Sequence, residues 1–379
     1  MKLKQTLLNH KNEIIESLKN FDAPAFDLHL IFADKKHLQD DDIKPLIKST
    51  FKNTVLIGCS TAGEIGLKKI AEGSFVITSV QFEKSKVRKC SFKLDNVKDS
   101  AKAGEYLAKE LLEKDLKHVF VLSDGINVNG TRLIEGINSV LDKSINVSGG
   151  LAGDNAEFIE TYVSDMDNNF IPNCITAIGF YGNDIITSSG SYGGWDSFGI
   201  DRIVTKSDEN IVYEIDGKPA LELYKSYLGD LSKELPGSAL FFPLEMRESE
   251  DSELLVRTIL GVNEKDNSIT FAGNITEGSF VRLMKTNVNR VIDGAEKAAN
   301  IIKESMTEDA KLLLMVSCVG RKLVLKQLTQ DEVEAVTTSF NDDAVFTGFY
   351  SYGELSKLKG NNACSLHNQT MTLTAISEL

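Results

Sequence analysis

Long apolar runs are missing from this sequence. The longest candidates, such as LLLMVSCV at 312–319, have the length of a strand and fall well short of a membrane span. The opening residues MKLKQTLLNHKNEII place only Leu7 and Leu8 side by side before Asn9, His10 and Lys11, which is no apolar centre for a signal peptide. Basic charge is short as well, with 42 Lys+Arg against 55 Asp+Glu and a net charge of −13. Without a concentrated basic face the chain has nothing to exchange for the counterions of a nucleic acid, and an anionic membrane surface repels it. The one Lys-rich piece, KSKVRKC at 84–90, alternates with apolar residues like a solvated strand face. Cysteine is sparse and odd in number: Cys59, Cys90, Cys174, Cys318 and Cys364. Such a scattered set indicates reduced thiols and a cytoplasmic location. Nucleic acid and membrane are discounted as partners.

What is present is a repeated unit. A chain of 379 residues, 42% hydrophobic and 26% charged, exceeds one ordinary core. Four apolar runs share a shape: DLHLIFAD (27–34), HVFVLSDG (118–125), SALFFPLE (238–245) and KLLLMVSC (311–318). Each stops at a polar or turn-forming residue, as buried strands do. A glycine turn follows each one, at Gly63, Gly153, Gly273 and Gly353, and then a second strand-like run. Helical periodicity fills the connectors at 131–142, 218–229 and 287–306. The expected fold is α/β in the mixed α+β sense. It comprises two similar domains, 1–200 and 201–379, with mixed sheets flanked by helices and about four such units. The glycine-rich GSYGGWDSFG at 190–199 marks the boundary.

The turns invite two chemical readings. Gly58-x4-Gly63 and Gly348-x4-Gly353 have P-loop spacing, but Glu64 and Glu354 stand where a phosphate-binding lysine belongs. GCSTAG at 58–63 approaches a hydrolase elbow, yet Ala62 replaces a glycine and no histidine has a triad context. The plainer account is a bend whose acid accepts backbone N–H groups, and FAGN (271–274) is taken as only that. The first and last turns could instead hold a small zwitterion, with Glu64 or Glu354 on its ammonium. Cys59, Ser60, Thr61 and Glu64, joined by Asp124 and Asp154 at strand ends, make a second-choice site.

Polar chemistry is densest near the C-terminus. Arg321 follows the strand that ends at Cys318, and the next stretch adds Tyr350, Tyr352, Glu354, Cys364, His367, Asn368 and Gln369. The first-choice pocket is Arg321, Tyr352, Glu354 and His367, with Cys318, Cys364 and Asn368 beside them. Arg321 would fork onto a ligand carboxylate while Glu354 takes its ammonium. Cys364-x-x-His367 is half of a zinc pattern with no second pair, so a buried thiol and a backbone-bonded histidine remain the alternative. No metal site is assigned. His367 alone could serve as an axial haem ligand. No nucleophile has a paired base, so no catalytic residue is assigned and binding is expected rather than catalysis.

Several motifs in one order resemble a known family. IGCSTAGEI (57–65), LSDGINVNGTRLIEGIN (122–138) and GGLAGDN (149–155) are similar to the FIST N domain of bacterial FIST proteins. VTKSDENIVYEIDGKPALELYKSYLG (204–229), FAGNITEGSFVRLM (271–284), SCVGRKLVL, GFYSYGEL and CSLHNQTMTLT (364–374) resemble the FIST C domain. The resemblance implies a cytoplasmic sensory module for small ligands, with amino acids proposed. It also implies two variants: a haem-based nitric-oxide sensor acting on a histidine kinase, and a module working beside cyclic-di-nucleotide enzymes. Because no kinase or cyclase segment precedes Leu379, signalling is expected to pass through a separate partner. The competing class is an enzyme using Cys59, Ser60 or Cys364 as nucleophile.

Overall fold

The computed structural model describes residues 1–95, 99–249, 252–357 and 363–379, and residues 358–362 of the polar C-terminal stretch lie outside that description. It is mixed α+β with several mixed sheets, as expected. Three units share one topology. In the first, Leu28–Ala33 lies parallel to Val55–Ser60, Phe75–Gln81 returns antiparallel beside it, and Lys2–Leu8 forms the edge. The second repeats this order with Leu116–Ser123, Asn146–Leu151, Cys174–Tyr181 and Lys86–Lys93. The third repeats it with Leu312–Cys318, Val345–Ser351, Met371–Glu378 and Ile185–Tyr192. The first strand of each parallel pair is apolar and almost wholly buried, because helices and a neighbouring sheet cover both faces.

The units exchange hairpins in a closed cycle. Val163–Ser164 of the second unit adds to the sheet of the first, Gly353–Ser356 of the third adds to that of the second, and Glu64–Gly66 of the first adds to that of the third. Each parallel strand thereby gains a neighbour on an edge that would otherwise be open. A shared core results, in which Phe32, Phe120, Phe180, Leu314 and Phe349 come from all three units.

The fourth expected unit is different. Residues 196–285 form an insertion in the third unit, between its edge strand and the helix Val288–Ser305. Its strands, Asp196–Asp208 and Phe280–Lys285 among them, pair only antiparallel. It has its own core around Val212, Leu221, Tyr224 and Phe271. SALFF is not a strand here: Gly237–Phe241 is a 3-10 turn, and pairing begins at Leu244. Short apolar runs carry no period to separate the two states, and the flanking prolines, Pro236 and Pro243, restrict the backbone before each of them. Gly63, Gly153 and Gly353 are thus equivalent, whereas Gly273 follows a strand of the insertion. Gly193 and Gly194 of the glycine-rich junction lead from the edge strand of the third unit into the insertion, and that unit resumes after it.

Candidate functional site

The three equivalent turns meet and bond to one another. Ala62 N donates to Tyr350 O, Gly153 N to Ser60 O, Asn155 N to Thr61 O, and Tyr352 N to Leu151 O. The acid after each glycine turns inward. Glu64 accepts from the Thr61 hydroxyl and, at 2.9 Å, from both Ser74 N and Ser74 Oγ. Glu354 accepts from Ser351 Oγ at 2.6 Å and from Thr370 N and Oγ1 at 3.2 and 2.9 Å. Burial pushes their carboxyls up to about 7 and about 8. Both are fully buried and both oxygens are taken, so they pin hairpins and present nothing to a ligand.

Arg321 is likewise committed. It is fully buried, its Nε donates to Glu332 at 2.6 Å, and its other nitrogens reach the carbonyls of Val291, Gly193 and Gln369. The expected Arg321–Glu354 reading of a zwitterion is therefore corrected. This guanidinium neutralises Glu332 and ties the entry to the insertion, through Gly193, to the helix that follows it, through Val291. Glu332 escaped sequence analysis because it lies on a helix, Thr329–Thr337, with acids on its exposed face too. His367 sits in Ser365–His367 with Nε2 against Ser356 O at 3.0 Å, and burial lowers it to about 4. His367 is only 2% exposed, so its ring has no open face for a haem and does not fit an axial ligand. Cys364 is a buried thiol whose carbonyl accepts from Asn138. Among the described residues no group of three His, Cys, Asp or Glu is placed to hold a metal ion.

At the N-terminal turn Cys59 is fully buried, and Ser60 Oγ accepts from Tyr162 N. Thr61 is spent on Glu64 and Gly63 N. Asp124 caps its own loop by accepting from Ile126 N, Asn127 N and Asn173 N. None of these residues faces open space.

A cleft does open between the three-unit body and the insertion. One chamber of about 520 Å³ is lined by Asn129, Asn210, Phe271, Gly273, Asn274 and others. A second, of about 170 Å³, is lined by Thr258, Cys318, Val319, Gly320, Leu323, Asn368 and others. Phe158, Leu260, Ala272 and Tyr352 line both chambers and join them. Of the sequence candidates, Tyr352, Cys318 and Asn368 come together here, while Arg321, Glu354, His367 and Cys364 stay behind the wall.

Asp154 builds the floor. Burial opposes its charge, but the Tyr352 hydroxyl and the N–H groups of Phe158, Ile159 and Glu160 hold its carboxyl below the usual range, and Lys35 lies 3.3 Å away. Those bonds fix Phe158 at φ +55°, with its ring stacked on Tyr352 at 4.4 Å and 18°. A left-handed phenylalanine costs about 1–3 kcal/mol, and such strain persists where the surroundings over-determine it. The ring is 46% exposed, so the strain presents an aromatic face to the cleft instead of burying it. Thr258 is 4% exposed, and its Oγ1 has no partner among the described residues.

FAGN, expected to be a plain bend, supplies Phe271, Ala272, Gly273 and Asn274 to the larger chamber. That expectation is also corrected. Phe158 and Thr258 carried no sequence signal, since nothing local distinguishes a strained loop aromatic or an orphaned hydroxyl.

Comparison with known proteins agrees with the motifs. The FIST N domain matches residues 27–218 and the FIST C domain matches residues 220–357. The chain belongs to the FIST family. FIST domains are associated with sensory signal transduction and small-ligand binding. Uncharacterized protein MJ1623 of Methanocaldococcus jannaschii is 23% identical over 333 residues, covering 79% of this chain. The match spans 60% of that relative's length. A crystal structure of cyanuric acid hydrolase from A. caulinodans aligns over 99% of both chains, with 6% identity and a TM-score of 0.38, too loose a likeness to support an argument. The insertion is divided between the two matches, with residues 196–218 in FIST N and 220–285 in FIST C, so both domain models contribute to the cleft's outer wall.

Proposed function

We propose that this FIST protein is a cytoplasmic sensory protein that binds a small polar metabolite in the cleft between body and insertion. Occupancy is passed to a separate signalling protein, of the histidine-kinase or cyclic-di-nucleotide class. The carrying observation is the joined pair of chambers, into which the body contributes the strained Phe158 on Tyr352 and the insertion contributes the Thr258 hydroxyl, unpartnered among the described residues. A binding site has aromatic area to bury a ligand and a few polar groups to orient it, and both are present here.

The reading is of binding and not catalysis. Burial pushes the Cys59, Cys318 and Cys364 thiols well up, away from the thiolate form a nucleophile needs. Five unpaired, buried cysteines support a reducing compartment. The amino-acid version of the ligand has lost its charge pair, because Arg321 and Glu354 are spent internally.

Leu260, 46% exposed and shared by both chambers, gives the test. A thermal-shift screen of small metabolites on the wild type should find stabilising compounds, and Leu260→Trp, which fills the junction, should abolish those shifts while the unliganded Tm stays near that of the wild type. Compounds that stabilise Leu260→Trp as well as the wild type would place the site elsewhere.

A further inference from the structure

The lining of the cleft specifies more than its place. We infer that its ligand is planar and uncharged, a small heterocycle bearing amide-like donors and acceptors, stacked on Phe158 and read by side-chain amides. This rests on the cleft being the ligand site, as proposed above.

Three observations carry it. First, the floor is a flat aromatic pair, Phe158 on Tyr352, and Phe158 keeps nearly half of its surface open to both chambers. A planar ring extends that stack, whereas an aliphatic chain would leave its π-face unmatched. Second, the polar groups around it are neutral and two-sided: Asn129, Asn210, Asn274, Asn368 and Thr258. Side-chain amides carry both a donor and an acceptor, the complement of an N–H beside a C=O on a ring edge. Much of that capacity is already used: Asn129 Nδ2 donates to Asn274 Oδ1 and its Oδ1 accepts from Arg132 N, Asn210 Nδ2 donates to Phe271 O, and Asn368 Nδ2 donates to His367 O while its Oδ1 accepts from Thr258 N at 3.4 Å. This leaves the second amide hydrogens, Asn210 Oδ1 and Asn274 Nδ2 for a ligand. The Thr258 hydroxyl has no partner among the described residues, and Thr258 is more than nine-tenths buried.

Third, the described lining holds no cation. Glu209 is its only charged residue, and it is exposed. Arg257 lies behind Gly273, where a Cβ would come within 3.1 Å of its Nε, and its Nε and Nη1 donate to the carbonyls of Asn274 and Leu366. A ligand carboxylate or phosphate would therefore leave water without a cationic side chain to meet it. A neutral ring meets no such penalty.

The test uses the full chain and calorimetric titration at millimolar concentration with uracil, adenine and nicotinamide as planar neutral probes. Glycine, glutamate and lysine are the charged comparison. At least one planar probe should bind. Its affinity should fall about ten-fold or more in Phe158→Ala, in line with the loss of one stacked ring. Phe158 is half exposed, so this variant keeps its fold, and near-isosteric Thr258→Val supplies a second reading, with weaker binding expected. Failure of all three planar probes against a folded wild type overturns the inference. Binding of an amino acid that is lost in Phe158→Ala also overturns it, while leaving the cleft as the site. Binding that survives Phe158→Ala, Thr258→Val and Leu260→Trp alike removes the cleft reading itself.

Discussion

At the scale of single residues, the charged groups that stand out most in the sequence do structural work. Arg321, Glu332, Tyr350 and Ser317 form one buried cluster, with the Tyr350 hydroxyl 2.7 Å and Ser317 Oγ 3.1 Å from Glu332. A ligand-reading arginine could be removed without harm to the empty protein. Arg321 cannot, because its loss strands the Glu332 carboxylate in the core. Arg321→Ala should lower the stability of the unliganded protein by about 3–5 kcal/mol, measured by urea denaturation. Arg321→Ala with Glu332→Gln should recover part of that loss, since no unpaired charge then stays buried. A single Arg321→Ala as stable as the wild type would return this side chain to the list of ligand contacts. Sequence singled out Arg321 and Tyr350 as polar candidates in one stretch, without Glu332 or Ser317. It could not show that each donor already had an acceptor, because those acceptors are carbonyls of Val291 and Gln369 and a carboxylate on another helix.

At the scale of elements, legibility followed periodicity. The expected helices at 131–142, 218–229 and 287–306 are Gly130–Asn138, Ala220–Leu228 and Val288–Ser305. Long amphipathic stripes survive the move into tertiary structure, whereas a five-residue apolar run such as SALFF does not declare its state. Which strands pair across units was invisible too, since hairpin exchange depends on contacts hundreds of residues apart, such as Glu64 with Phe349. Helix packing adds a constraint that composition hides. Ser100–Leu111 and Gly130–Asn138 cross so closely that a Cβ on Gly104 would lie 2.1 Å from Leu133 O, and one on Gly136 would lie 2.0 Å from Ala101 O. Both obstacles are backbone and cannot swing aside. Gly136→Ala should therefore destabilise the protein by about 1–3 kcal/mol through overpacking, despite the better helix propensity of alanine. Thermal denaturation reads this directly, and a Tm at or above that of the wild type would show that the helices separate freely.

At the scale of the whole molecule, the hairpin cycle decides what can fold alone. Cutting the chain after Asn183 would leave the first sheet with all of its strands, since Val163–Ser164 is retained. The second sheet would lose Gly353–Ser356 and Ser365–His367 from the exposed side of Asn146–Leu151. The hairpin at Glu64–Gly66 would lose its partner Val345–Ser351 altogether. The shared core would be opened as well, because Phe32 stacks on Phe349 at 4.8 Å and packs in a cluster with Leu314, Val316 and Ile376. An open strand edge beside a bared apolar face is a template for aggregation. Residues 1–183 produced alone should therefore be molten or aggregated, with weak near-ultraviolet dichroism and no sharp melting transition. Co-expression with 184–379 should restore a soluble complex, because the cycle can close between two chains as well as within one. The opposite outcome, a monodisperse 1–183 fragment that melts cooperatively, would mean that the first two units are self-sufficient and that hairpin exchange only decorates them.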